Sequence, residues 1–79
     1  MTYYVLKNKR NGRYISGTDF GTRRQILANE NRPPKLFPKD DGIIKTEMFV
    51  RHINPKTYKV VEVEVREINN GSITDKQND

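Results

Sequence analysis

The sequence predicts a small, mostly β domain with at most one short helix. Three observations lead there. From Val61 to Arg66 the chain alternates strictly: Val61, Val63 and Val65 fall on one side, Glu62, Glu64 and Arg66 on the other. That period of two marks a half-buried strand, and valine favours it. At the other end, TYYVLK is dense in strand-forming residues. Between them, Pro33, Pro34, Pro38 and Gly42 forbid a long helix. The expected architecture is two β-hairpins joined by a proline-broken linker.

The first hairpin pairs TYYVLK with RYIS across Asn11-Gly12, which tolerates the positive φ of a tight turn. Its register stays open. A two-residue turn places Lys9 opposite Tyr14, whereas a longer loop from Asn8 places Leu6 opposite Ile15. In the linker, Arg24–Asn29 reads as a short strand or a helical turn, and Pro34–Phe37 as a single 3₁₀ turn. Ile26, Leu27, Leu36 and Phe37 are expected to cover an open face of the sheet.

Residues 43–53 read as helix or strand. On a helical wheel Ile43, Ile44, Met48, Phe49, Val50 and Ile53 spread around most of the circumference and leave no clean polar face. Folded back across Asn54-Pro55-Lys56-Thr57, which suits a type I turn, the same segment sets Val50 against Val61 and Met48 against Val63. The hairpin is the better pattern, although it leaves Glu47 opposite Glu64. The alternative is a β-β-α-β order with the helix ending at Asn54.

Residues 1–68 are expected to form one domain. From Asn69 the chain reads NNGSITDKQND, with one apolar residue, which is too little to offset the entropy of ordering, so residues 69–79 are expected to be a disordered tail. With 33% hydrophobic residues and no cysteine, the core is thin and neither disulfides nor thiolate zinc sites can staple it. No segment approaches the ~18 apolar residues of a membrane span, and MTYYVLKNKR lacks the apolar core of a signal peptide. A soluble cytoplasmic chain, without membrane partners, is expected.

The net charge of +5 is unevenly distributed. Residues 1–39 carry nine Lys/Arg against Asp19 and Glu30, whereas residues 40–79 carry six against eight acids. Such asymmetry points to one surface made for an anionic partner. Catalysis is not expected. There is no thiol and no phosphate-cradling GxxxxGK loop, and Ser16 and Ser72 lack a local base. His52 reads as a partly exposed strand histidine, and Asp40, Asp41 and Glu47 as a solvated turn and its neighbour rather than a Mg²⁺ site. No cofactor or metal is expected.

The one functional signal is cationic and aromatic. Lys7, Lys9, Arg10 and Arg13 surround the first turn beside Tyr14, and Arg23 and Arg24 follow in the linker. Cations neutralise phosphates and release counterions, and aromatic faces stack bases. Tyrosine and arginine equally anchor protein interfaces, and a paired-strand edge can dock another protein. The expected role is therefore a small non-enzymatic binding protein for a protein partner, with nucleic-acid binding through Lys7–Arg24 as the alternative. The stretch YYVLKNKRNGRYISG, with a short linker and a YKVVEVEV strand, resembles small uncharacterised phage and prophage proteins of low-GC Gram-positive bacteria. That resemblance implies an accessory protein that binds a host or phage macromolecule.

Overall fold

The computed structural model describes residues 1–65 and 73–75. Six strands and one helix follow in the order β1 (Thr2–Asn8), β2 (Ile15–Asp19), β3 (Arg24–Leu27), β4 (Phe37–Pro38), α1 (Asp41–Val50), β5 (Tyr58–Val65) and β6 (Ile73–Asp75). The protein is mostly β with one short helix. All pairings are antiparallel, in one sheet of order β4-β1-β5-β6 and a second of β2-β3.

The strand pairing differs from the two expected hairpins. β1 and β2 meet at a single bridge, Lys7 with Tyr14, which is the register of the longer loop. The main partner of β1 is β5, from Thr2 opposite Glu64 to Asn8 opposite Tyr58. Val61 is therefore opposite Val5 and Val63 opposite Tyr3, and neither pairs with residues 48–50. β2 turns instead onto β3. Phe37-Pro38, expected within or beside a 3₁₀ turn, is a two-residue strand on the outer side of β1, where a proline without an N–H costs nothing. The disordered tail expected over residues 69–79 falls mostly outside the described residues. Of that stretch only Ile73–Asp75 is described, as β6 paired with Val63–Val65.

Residues 41–50 are helical, correcting the preference for a strand. The cause is local. Asp40 caps the helix, its Oδ1 accepting from the Ile43 amide at 2.9 Å while its backbone stays extended. At the other end His52 adopts a positive φ of 55°, the Ile53 amide donates to the Met48 carbonyl at 2.9 Å, and the His52 amide donates to that of Phe49. This left-handed cap turns the chain back so that Ile53 is buried beside Met48. His52 is thus an exposed cap residue and not a strand histidine.

The core lies between α1 and the sheets. Leu6, Ile15, Phe37, Ile44 and Ile53 form its buried cluster, with Tyr4, Leu27, Met48 and Tyr58 packed against it. Period two puts Tyr4 and Leu6 on one face of β1, the face that α1 covers. Val5 and Val63, on the opposite face, are also fully buried. Arg51 ties the helix to the second sheet. Its guanidinium lies 5.4 Å from the Phe20 ring and 5.5 Å from that of Phe37, and its Nε donates to Glu47 at 2.9 Å. The carbonyl of Arg51 accepts from the Gln25 side chain at 2.8 Å.

Candidate functional site

The cations nearest the first turn are held by the loop between β1 and β2. Asn8 organises it: its side chain accepts from the Arg10 and Asn11 amides, its amide donates to the Arg13 carbonyl, and its carbonyl accepts from Gly12. Gly12 sits at φ 73°, the left-handed conformation the Asn-Gly pair predicts. Lys9 reaches across to donate to the Pro55 carbonyl at 3.0 Å, and Arg13 donates to the Ala28 carbonyl at 2.9 Å. Both bonds fix a cation without neutralising it. The Lys7 ammonium lies 5.6 Å from the Tyr14 ring, so one face of that ring already has a cation over it.

The structure adds two cations that sequence reasoning left out. Lys59 is directly opposite Lys7 in the β1–β5 ladder. Lys56 belongs to the Asn54–Thr57 turn, whose Pro55 bonds Lys9 and whose Thr57 carbonyl accepts from the Lys9 amide at 2.9 Å. Two chain segments more than forty positions apart thus bring Lys7, Lys9, Arg10, Arg13, Lys56 and Lys59 to one end of the sheet. No sequence signal could have joined them, because the pairing of β1 with β5 is not encoded locally.

Arg23 and Arg24 are not part of this group. They sit at the turn between β2 and β3, where Arg24 is opposite Asp19. β2 runs from Ile15, beside the cationic loop, to Asp19, and a five-residue strand separates its ends by roughly 13 Å. The candidate cations from Lys7 to Arg24 thus lie at the two ends of β2.

The acids of the main sheet lie in its Thr2 half, and the nearest of them border the cations, Asp41 and Glu62 lining one hollow with Lys7, Lys9 and Lys59. Glu62 is opposite Tyr4 and Glu64 opposite Thr2, and a seven-residue strand such as β1 spans about 20 Å. Asp40 and Asp41 open the helix there. Asp41 accepts from the Tyr4 hydroxyl at 2.9 Å, and Lys39 pairs with Glu62 at 2.6 Å. The hydrogen bond to Asp41, then desolvation, raises the Tyr4 phenol above its ordinary range. The hydrogen bond and attraction of Glu62 raise Lys39. Among the described acids, Glu30 is on a turn that adjoins the cationic end, two positions beyond Ala28. Asp40, Asp41 and Glu47 have separate protein partners, and no group of three metal-ligating side chains occurs among the described residues.

Comparison with protein-family models, curated proteins and solved structures returned no match. Function must be read from this charge arrangement.

Proposed function

We propose that the protein is a non-enzymatic binding module whose cationic end takes the phosphate backbone of a nucleic acid. The observation behind this reading is the convergence of Lys56 and Lys59 on Lys7, Lys9, Arg10 and Arg13 at one end of the sheet. Six cations gathered in one region create a field that draws in a polyanion. Lysine and arginine that bond only to carbonyls keep their charge for phosphates. Nothing in this grouping reads base edges, so affinity without strong sequence preference is expected. The sequence resemblance to small phage and prophage proteins suggests a setting, that of a cytoplasmic accessory protein. Among the described residues no helix is long and apolar enough to cross a membrane.

The test is to compare paired substitutions. Changing Lys56 and Lys59 to Ala is expected to flatten the log–log dependence of DNA affinity on salt by roughly two units, as loss of two phosphate contacts requires. Changing Arg23 and Arg24 to Ala is expected to leave the slope unchanged. Equal effects from both pairs would contradict a site confined to this end. Binding confined to an acidic protein, with none to generic DNA at low salt, would point to a protein partner instead.

A further inference from the structure

Between α1 and β5 lies an open hollow of about 900 Å³, within the size range of small-molecule sites. One stripe of α1 lines it: Asp41, Ile44, Lys45 and Met48 recur at the three- and four-residue spacing that keeps side chains on one helix face. From β5 come Tyr58 and Val60, which share the sheet face of Leu6 because they stand opposite Asn8 and Leu6 in the ladder. Leu6 is fully buried, yet Val60 across from it stays 39% exposed. The hollow thus has an apolar surface open to solvent. Its two ends differ in charge. Lys9, bonded to the Pro55 carbonyl, lines one end with Lys59, and both belong to the cationic group. Asp41 and Glu62 line the other end, Glu62 standing three strand positions, or roughly 10 Å, from Lys59.

We propose that this hollow takes one unpaired, amino-bearing base of a single-stranded nucleic acid whose phosphates lie on the cationic end. The inference rests on the phosphate reading above and extends it from backbone to base. A nucleotide is an anion at one end and a flat ring beyond it, and in adenine, cytosine and guanine that ring carries an amine donor on its edge. The same order runs along the hollow: Lys9 and Lys59, then Met48, Tyr58 and Val60, then Asp41. Glu62 is paired with Lys39, which leaves Asp41 as the acceptor that meets the amine. Asp41 is exposed and receives the Tyr4 hydroxyl, and a carboxylate has about four acceptor sites, so it can take a second donor. Its negative charge also repels phosphate from that end and so fixes which way the nucleotide lies. Contact with the Tyr58 ring and its apolar neighbours favours any base, and the bond to Asp41 adds a modest preference for an amine. In a duplex those amines are engaged in pairing and the bases are stacked out of reach, so the hollow selects single strands.

Three strands of equal length and phosphate count separate backbone from base: oligo(dC), oligo(dT) and an abasic strand. Cytosine carries an amine where thymine has a carbonyl. By fluorescence anisotropy, oligo(dC) is expected to bind at least ~10-fold tighter than the abasic strand, as contact with a base requires. It is expected to bind roughly 3- to 10-fold tighter than oligo(dT), the worth of one net hydrogen bond. Asp41→Asn keeps an acceptor for the Tyr4 hydroxyl but removes the charge, and is expected to bring the two pyrimidine strands within about 2-fold of each other. In methyl NMR spectra of the unmodified chain, Met48 and Val60 are expected to shift with oligo(dC) and to stay in place with the abasic strand. An abasic strand that binds as tightly as oligo(dC), equal affinity for oligo(dC) and oligo(dT), unmoved Met48 and Val60 signals, or a cytosine preference that survives Asp41→Asn would each overturn the base site and leave the phosphate reading standing. Undetectable binding of all three strands at low salt would remove both. The NMR comparison needs no variant, so it decides the matter even if Asp41→Asn fails to fold.

Discussion

Asp19 and His52 each hold a chain reversal, by different means. At Asp19 the side-chain Oδ1 accepts from the Gly21 and Thr22 amides at 2.9 and 3.3 Å, closing the turn between β2 and β3. Those amide bonds, that of Thr22 first, hold its carboxyl below the ordinary 3.8. A depressed carboxyl contributes stability above its unfolded value and loses it as pH falls through the folded value. Carboxyl NMR titration is therefore expected to give a midpoint below 3.8 for Asp19, with the turn loosening as that midpoint is crossed. A midpoint at or above 3.8 would mean that the amide bonds do not persist in solution. At His52 the left-handed backbone is strained for a residue with a Cβ. His52→Gly removes that strain and is expected to stabilise the fold by about 0.5–1 kcal/mol in urea unfolding. Destabilisation would show that the imidazole contributes more than the strain costs.

Among the elements, strand character was the most legible from sequence. The alternation around Val61–Val65 and the density of β-formers in TYYVLK both correspond to strands, and Asn11-Gly12 and Asn54–Thr57 both turn the chain. The helix was misread for a physical reason. Apolar residues all round α1 argue against a surface helix only if its outward face is polar, and here Phe49 and Val50 remain exposed. The overlooked signal was Asp40, an N-cap residue directly before the segment. Pairing partners were equally hidden, since a strand pattern fixes which side faces inward but not which strand lies alongside. Arg51 shows what joins the elements once paired. Held between Phe20 and Phe37 and only 12% exposed, it stacks two rings while bonding Glu47. Lysine lacks the planar guanidinium. Arg51→Lys is expected to cost roughly 1–2 kcal/mol of stability, measured by denaturant unfolding. A neutral result would place the junction in the Gln25 bond to the Arg51 backbone instead.

For the whole molecule, the decisive property is the gathering of cations at one end of the β1–β5 ladder. The sequence indicated a basic first half and an acidic second half, yet the folded polarity does not follow that division. Lys56 and Lys59 come from the second half and join the first-half cations, while Arg23 and Arg24 leave them. The loop cations were legible because they are neighbours in the chain; the full site was not, because antiparallel pairing assembles it at long range. The most direct measurement is the salt dependence of binding to a generic DNA duplex, followed by fluorescence anisotropy. Six phosphate contacts give a log–log slope of roughly −5, and the cationic end predicts a value near that. Undetectable binding at low salt, or affinity that hardly changes with salt, would contradict phosphate recognition by this surface.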